Sequence, residues 1–176
     1  VRVFDLASLR PRGAVPLAAV DVLFSDDGRR LAVATADGNV HLFDGALRPL
    51  RVLPIGAPTA GLHFSPTADR LAVWTHAGIG LYRVDDGVRM ASIDGVDIGI
   101  TALEFDGDDV WTGDTDGMIR RWRGDGALVG ALFGPGGTIE ELHLTPTSLV
   151  ARTAGTMRYY RRDALVATAL PASAQC

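Results

Sequence analysis

Acidic residues are the first candidates for chemistry in this sequence. The run Gly113-Asp114-Thr115-Asp116-Gly117 is similar to half of a calcium loop. Its frame, however, places Thr112 at the first ligand position and Arg123 at the twelfth, where calcium requires a bidentate carboxylate. Three more aspartates lie within 106–109, and short acidic side chains of this kind hydrogen-bond the local backbone of turns. Both runs are therefore predicted to be turns and not metal sites.

Histidine and nucleophilic residues predict no catalytic centre. His63 and His143 each stand one residue before a similar strand end, but they are far apart in the chain, and a zinc site takes three or four ligands. Cys176, the one cysteine, lies at the tail, and no serine occurs in a Gly-x-Ser-x-Gly elbow. Gly134-Pro135-Gly136-Gly137 lacks a following helix that would bind phosphate. The sequence thus predicts no enzyme activity, no cofactor and no metal.

Arginines interleaved with aromatic residues form a basic concentration. They surround Trp122 and the pair Tyr159-Tyr160 at corresponding positions. The members expected to merge into one stripe toward an outer rim are Arg120, Arg121, Arg158 and Arg162. Such a stripe could bind an acidic peptide or nucleic acid, but the net charge of -4 argues against nucleic acid. We favour solvated arginines paired with neighbouring aspartates.

A repeat of about 40 residues must position these side chains. The pairs that end its apolar stretches fall 40, 41 and 39 residues apart and are Phe24-Ser25, Phe64-Ser65, Phe105-Asp106 and Leu144-Thr145. Beyond each pair come a glycine turn and a short strand that ends in an aromatic residue, namely Phe43, Tyr82, Trp122 or Tyr160. Alternating apolar residues bounded by turn residues predict strands. The period is that of a four-stranded propeller blade.

Each copy of the repeat predicts a meander of four antiparallel strands. The first two copies give 20–24, 31–35, 40–43 and 50–53, with Pro54 interrupting the last, and then 59–64, 70–75, 79–82 and 88–93. The other two give 100–105, 109–112, 118–122 and 127–133, and then 138–144, 149–152, 156–160 and 164–170. The predicted boundaries are 1–16 for part of a preceding blade, blades at 17–54, 55–95, 96–134 and 135–171, and a tail at 172–176.

The sequence resembles the WD-repeat (Trp-Asp repeat) family of β-propellers over almost its whole length. The clearest copy runs from Val22 to Asp44, and Phe64-Ser65-Pro66 and Asp116-Gly117 with Trp122 are similar matches. The family's Gly-His pair is missing, and its Trp-Asp pair is replaced by Phe43-Asp44, Tyr82-Arg83, Trp122-Arg123 and Tyr160-Arg161. The family's buried His-Ser/Thr-Asp-Trp network is therefore incomplete. At most Thr35 with Asp37, and Asp116 with Trp122, supply parts of it.

The first residues match the second half of a blade. Val1–Asp5 is similar to a third strand, and 9–15 to an outer strand. We therefore expect an all-β fold, a β-propeller segment of four four-stranded antiparallel blades plus part of a preceding blade, from a ring of about seven or eight. The missing blades are expected from the same chain or another one, because the open faces would otherwise expose apolar surface.

The resemblance implies a non-catalytic scaffold or sensor module that binds a peptide or protein partner. In the family, partners commonly meet the face made by the loop that enters each first strand and the turn between strands two and three. On this sequence that face comprises Pro58, Thr59, His76, Asp97, Ile98, Thr115, Gly137 and Thr138. The alternative is a propeller domain accessory to an enzyme, a hydrolase or a nucleotide-hydrolysing signalling protein, whose catalytic domain lies outside this chain.

Composition is that of a folded domain. Hydrophobic residues make up 47% of the sequence, enough for a core. No stretch approaches the roughly 18 apolar residues of a membrane span, and the first residues lack a signal-peptide core. All 17 basic residues are arginine, which indicates GC-rich bacterial codon usage. The sequence predicts a bacterial, cytoplasmic protein with no membrane contact.

Overall fold

The chain is an all-β protein. Its computed structural model describes residues 1–5, 7–94 and 99–162, and the elements of these ranges are β-strands. Within the same ranges no helix has the length and apolar character needed to cross a membrane.

The strands form five antiparallel sheets that follow one another along the chain. Sheet N contains β1 (Arg2–Phe4) and β2 (Pro11–Ala14), and sheet A contains β3 (Ala19–Phe24), β4 (Arg30–Thr35), β5 (Asn39–Asp44) and β6 (Pro49–Pro54). Sheet B contains β7 (Gly61–Phe64), β8 (Arg70–Thr75), β9 (Gly78–Arg83) and β10 (Arg89–Asp94). Sheet C contains β11 (Ile100–Asp106), β12 (Asp109–Asp114), β13 (Met118–Trp122) and β14 (Leu128–Phe133). Sheet D contains β15 (Glu141–Leu144), β16 (Ser148–Arg152) and β17 (Met157–Arg161).

The predicted four-stranded meander is confirmed in sheets A, B and C. In each of them the strands pair in chain order, which is compatible with the blades of a β-propeller. The predicted outer strand of the last repeat, 164–170, lies outside the described residues.

Some strand ends differ from the prediction. Strand β6 continues through Pro54, which pairs with Asn39 at the outer edge of sheet A, where a missing N–H is tolerated. Strand β7 begins at Gly61 and not at Thr59. The Trp74 ring lies against the Gly61 backbone so closely that an added Cβ would be 2.0 Å from Trp74 Cζ2. Strand β15 likewise begins later than predicted, at Glu141.

Contacts between Cα atoms divide the chain into two units. The first contains Val1–Thr75 and Tyr82–Arg89, and the second contains His76–Leu81 and, among the described residues, 90–94 and 99–162.

The core of the first unit lies on the two faces of sheet A. On one face, Leu31, Val33 and Phe43 pack with Val3 and Val15, which belong to the sheet N segment. On the other face, β4, β5 and β6 pack with the first strands of sheet B, in a cluster that contains Ala32, Ala34, Val40, Leu42, Leu53, Leu62, Phe64, Leu71, Val73, Tyr82 and Val84. Because successive side chains of a strand point to opposite faces, sheet A has apolar residues on both faces. Sheet N covers one face and sheet B covers the other.

The core of the second unit lies between sheets C and D. Strand β11 lies beside β15, so the first strands of the two sheets are neighbours. The buried cluster contains Ala102, Trp111, Ile119, Ile139, Leu142, Leu149 and Ala151. Tyr160, an aromatic end of a third strand, packs against this cluster, and its hydroxyl donates to the Phe133 carbonyl at 3.0 Å.

A buried serine organises the turn after the first strand of sheets A and B. Ser25 Oγ accepts from Arg30 N–H at 3.0 Å and donates to Asp27 Oδ1 at 2.7 Å. Ser65 Oγ accepts from Arg70 N–H at 3.0 Å and donates to Asp69 Oδ1 at 2.8 Å. The Phe-Ser pairs of the repeat therefore fix a turn as well as end a strand.

Parts of the polar network of the repeat are present. Thr35 Oγ1 donates to Asp37 Oδ1 at 2.5 Å, and this bond is the largest cause that holds the pKa of Asp37 below its ordinary value of 3.8. The Trp122 indole N–H donates to Thr112, whereas the Asp116 backbone N–H donates to the Asp114 carboxylate. The polar partner that the structure gives Trp122 is therefore a threonine of the neighbouring strand and not Asp116.

Candidate functional site

Three of the predicted partner-binding residues lie together in the second unit. Thr115 is exposed in the turn between β12 and β13, and Gly137 and Thr138 are exposed in the loop before β15. Thr138 Oγ1 donates to the Thr115 carbonyl at 3.1 Å. The Thr115 N–H donates to the Gly99 carbonyl at 3.0 Å, so the turn is held from both sides. We call Thr115, Gly137 and Thr138 the loop cluster.

Glycine lets the backbones of the loop cluster approach closely. Gly117 has a φ of 80°, and a Cβ at this position would lie 2.7 Å from the Gly137 carbonyl oxygen. The Gly117 carbonyl accepts from Gly134 N–H at 2.8 Å, and the Asp114 carbonyl accepts from Ile139 N–H at 3.0 Å. The exposed side chains of the loop cluster therefore stand on a backbone that hydrogen bonds within sheet C, and between sheet C and the loop before β15, fix in place.

The same packing recurs in the first unit. The Gly38 carbonyl accepts from the N–H groups of Ile55 and Gly56 at 2.9 and 3.1 Å. A Cβ at Gly38 would meet the Ala57 backbone nitrogen at 3.0 Å. The turn of sheet A thus holds the loop that carries Pro58 and leads into sheet B.

The remaining predicted partner-binding residues are less closely grouped. Pro58 is exposed, and Thr59 is half-buried with its Oγ1 buried and without a hydrogen-bond partner in the protein. His76 is exposed in the turn after β8. Asp97 and Ile98 lie outside the described residues.

Arg120 neutralises a buried carboxylate. Asp114 is fully buried and accepts hydrogen bonds from the Asp116 and Met118 N–H groups, both at 2.9 Å. Arg120 Nη1 donates to the second oxygen of the same carboxylate. Both oxygens of the Asp114 carboxylate thus accept from protein donors, and the run forms the turn between β12 and β13, as predicted.

Arg121 lies on the other face of β13 from Arg120, because successive side chains of a strand alternate. Its guanidinium lies 5.6 Å from the centre of the Trp111 ring, within the range of a cation–π contact. Its Nη2 is 2.7 Å from Asp109 Oδ2. The guanidinium is therefore fixed by a ring and a carboxylate of its own sheet.

Arg162 joins sheet D to sheet C. Its Nη2 donates to Asp106 Oδ1, and its Nη1 donates to the Thr145 carbonyl at 3.4 Å. Trp111 Nε1 donates to the other Asp106 oxygen at 3.2 Å. Asp106 occupies the repeat position of the turn serines Ser25 and Ser65. At this position its carboxylate accepts hydrogen bonds from sheet D, through Arg162, and from sheet C, through Trp111.

The arginine stripe predicted from the sequence is not one exposed surface. Arg120 and Arg121 are half-buried on opposite faces of one strand, and Arg162 is half-buried against Asp106. Arg158 alone among the four is exposed. Strand alternation and acidic partners in sheet C direct three of the four arginines partly into the protein. Pairing with neighbouring aspartates was predicted, but the particular partners Asp106 and Asp114 were not.

His143, one of the two repeated histidines, lies near a carboxylate of sheet C. His143 is exposed, with Nδ1 3.6 Å from Glu104 Oε1 of the neighbouring sheet. In the described part of the chain, no group of three or more His, Cys, Asp or Glu side chains could hold a metal ion.

An uncovered apolar surface lies beside sheet N. Phe24 and Val22 of β3 are 36% and 39% exposed, whereas Phe64 and Leu62, at the same repeat positions in β7, are each 6% exposed. An open cavity of about 620 Å³ lies here, lined by β1 and by Val22 and Phe24. The apolar pattern of β3 alone could not reveal this surface, because exposure depends on what lies opposite.

The fold is similar to that of designed proteins of known structure. No protein-family model matches the chain, and no curated protein matches it. The crystal structure of the computationally designed Ika4 protein is 21% identical with a TM-score of 0.70, and the match covers 84% of this chain and 93% of Ika4. That of the computationally designed Ika8 protein is 20% identical with a TM-score of 0.74 and covers 91% of this chain. The chain spans about half the length of Ika8, 52%. At these identities the similarity shows the fold alone.

Proposed function

We propose that this chain is a β-propeller segment that works as a non-catalytic interaction module and binds a peptide or protein partner through the loop cluster. The supporting observation is the geometry of that cluster. Thr115 and Thr138 expose their side chains, while the Thr138–Thr115 bond and the Gly117–Gly137 approach fix the backbone beneath them. A binding surface that is ordered before the partner arrives loses less conformational entropy on binding.

The chemistry of the loop cluster favours a peptide ligand. Exposed hydroxyl and backbone groups of turns offer hydrogen bonds to a peptide backbone, and functional contacts are concentrated on loops that a rigid scaffold positions. The Asp114 carboxylate beneath the cluster does not compete for this role, because it is buried and paired with Arg120.

A displayed library of random peptides, selected on the immobilised chain, tests this proposal. Selected peptides should lose at least about tenfold in affinity, or 1.4 kcal/mol, when Thr115→Arg or Thr138→Arg is introduced. Thr147→Arg is the matched control, because Thr147 is equally an exposed turn residue but follows the first strand of sheet D.

Circular dichroism should show that all three variants keep the fold. Peptides that bind the two loop-cluster variants as tightly as the parent chain would refute the assignment of the loop cluster. A selection that yields no binding peptide would refute the proposed function itself.

A further inference from the structure

An exposed phenylalanine lies beside the loop cluster. Phe133, the last residue of β14, pairs with Met118, the first residue of β13 after the turn that carries Thr115. The next residue, Gly134, donates its N–H to the Gly117 carbonyl at 2.8 Å. Phe133 is therefore at the end of sheet C where the loop cluster lies.

The Phe133 side chain is not part of a core. It is 79% exposed, more than any other large hydrophobic side chain of the described residues. The equivalent residue of sheet A is Pro54, which pairs in the same way with the first residue of β5, and the last strand of sheet B ends in Asp94. The repeat therefore needs no aromatic residue at this position, and packing does not account for the ring.

The backbone beneath the ring is held from two sheets. The Phe133 carbonyl accepts from the Tyr160 hydroxyl of sheet D at 3.0 Å, and Tyr160 packs against the buried cluster between sheets C and D. A partner that contacts a residue on such an ordered backbone loses less conformational entropy. Aromatic residues and arginine are also the types enriched where proteins bind one another.

Arg158 supplies a positive charge on the other side of this strand end. Burial raises the pKa of the Tyr160 hydroxyl above its ordinary value of 10.0, and a hydrogen bond with Arg158 opposes that rise, so the guanidinium lies close to the hydroxyl. Leu132 packs toward sheet D, and Phe133 faces the opposite way because side chains alternate along a strand. The ring and the guanidinium therefore flank the end of β14.

The charge of Arg158 is not neutralised within the described part of the chain. The side chain is exposed, and no described carboxylate forms an ion pair with it. Arg120 and Arg152, by contrast, are paired with acidic residues. The sequence 164–176 contains no aspartate or glutamate, so it offers no carboxylate either. Charge complementarity therefore favours an acidic partner from outside this chain.

We propose that the peptide bound at the loop cluster carries an apolar residue that packs on the Phe133 ring and an acidic residue that binds Arg158. This inference rests on the proposed function and names the chemistry of the peptide. The peptide crosses the end of β14 between the two contacts. Its acidic residue lies on the Arg158 side, because the exposed Asp116 of the turn repels a carboxylate next to Thr115.

Selection from a displayed library of random peptides tests the chemistry. Peptides retained by the parent chain should be enriched in acidic residues and in large apolar residues. A parallel selection on Arg158→Glu should enrich basic residues in place of acidic ones, because the charge at the contact is reversed. Selection on Phe133→Ser should lose the apolar enrichment.

Affinities of the peptides selected on the parent chain test the two contacts. Arg158→Gln and Phe133→Ser should each weaken binding about tenfold. The matched controls are Arg123→Gln, an exposed arginine at the opposite end of sheet C, and Tyr159→Ser, an exposed aromatic residue on the face of sheet D that points away from Tyr160. Both controls should bind like the parent chain. Added salt should weaken binding to the parent chain more than to Arg158→Gln.

The outcomes separate this inference from the proposed function. Peptides that lose affinity for Thr138→Arg but keep it for either Arg158→Gln or Phe133→Ser overturn the inference and leave the loop cluster as the binding site. Selected peptides without acidic residues do the same. A selection that yields no peptide overturns both proposals. A dimer of the parent chain that Phe133→Ser abolishes would assign the ring to a second copy and also overturn the inference.

Discussion

The indole N–H of Trp122 donates a hydrogen bond of 2.9 Å to Thr112 Oγ1. The two residues lie on the neighbouring strands β13 and β12 of sheet C, and both are buried. Trp122 is the one tryptophan among the four aromatic residues that end the third strands. The bond lets a large apolar side chain carry its polar atom into the protein without leaving it unpaired.

Removal of the Trp122 side chain should destabilise the chain by about 3 to 5 kcal/mol, because it leaves a large cavity. Thr112→Val should cost about 1 to 3 kcal/mol, since it leaves the indole N–H unpaired in a similar volume. Urea denaturation followed by circular dichroism measures both values. Unchanged unfolding of Trp122→Ala together with lost peptide binding would show that this residue belongs to a binding site.

Substitution of Arg120 and of Arg158 should change stability by different amounts, although the sequence places both residues in one predicted stripe. Arg120→Gln leaves the buried Asp114 carboxylate without its charged partner, and the expected loss is about 3 kcal/mol. Arg158→Gln alters an exposed side chain and should change stability by less than about 0.5 kcal/mol. Chemical denaturation of the two variants checks this difference. Equal stability of the two would contradict a structural role for the Arg120–Asp114 pair.

The Asp106–Arg162 pair should couple sheets C and D. A double-mutant cycle with Asp106→Asn and Arg162→Gln should give a coupling free energy of about 1 to 2 kcal/mol, because the two residues share one partly buried contact. The control cycle pairs Asp125→Asn with Arg123→Gln, an exposed ion pair within one turn, and should give less than about 0.5 kcal/mol. A coupling no larger than that of the control would remove this link between the sheets.

Stability should fall in acid because of the turn aspartates. Hydrogen bonds from the Thr67 and Ser65 hydroxyls hold the pKa of Asp69 below 3.8, and the Ser25 hydroxyl and the Arg29 N–H do the same for Asp27. A pKa that is lower in the folded state gives stability that is present above pH 3.8 and is lost as the pH falls through the lowered value.

Urea denaturation at a series of pH values between about 2.5 and 5 tests this dependence, since the ordinary aspartate pKa lies within that range. The Asp27→Asn, Asp69→Asn double variant should show a smaller loss of stability in acid than the parent chain. Identical pH profiles would show that these turns contribute nothing to acid sensitivity.

The sequence predicted the strands well because their signals are local. Alternating apolar residues and glycine turns placed β8 and β13 at their observed bounds, and the repeat identified the aromatic ends of the third strands. Strand beginnings were predicted less well where contacts between strands decide them, as for β7, which begins where the Trp74 ring meets Gly61.

The candidate site was predicted only in part. The family resemblance assigned Thr115, in the turn between two strands, and Gly137 and Thr138, in the loop before a first strand, to one face, and the structure places them together. Whether an arginine is exposed or half-buried depends on partners that are distant in sequence. The residues of the Arg162–Asp106 contact, for example, are 56 positions apart. The exposure of Val22 and Phe24 depends on what lies opposite them, and no pattern within β3 carries that information.

The most direct test of the account compares the chain alone with a version that carries a second copy of 19–35 joined ahead of Val1. Light scattering and a thermal melt on both proteins are the measurement. We expect the chain alone to form oligomers of no fixed size through the uncovered apolar surface. The extended version should be a monodisperse monomer whose melting temperature is about 4 to 8 °C higher, a gain of roughly 2 kcal/mol. A monodisperse parent chain with the same melting temperature as the extended version would contradict an exposed apolar surface at Val22 and Phe24 that drives association.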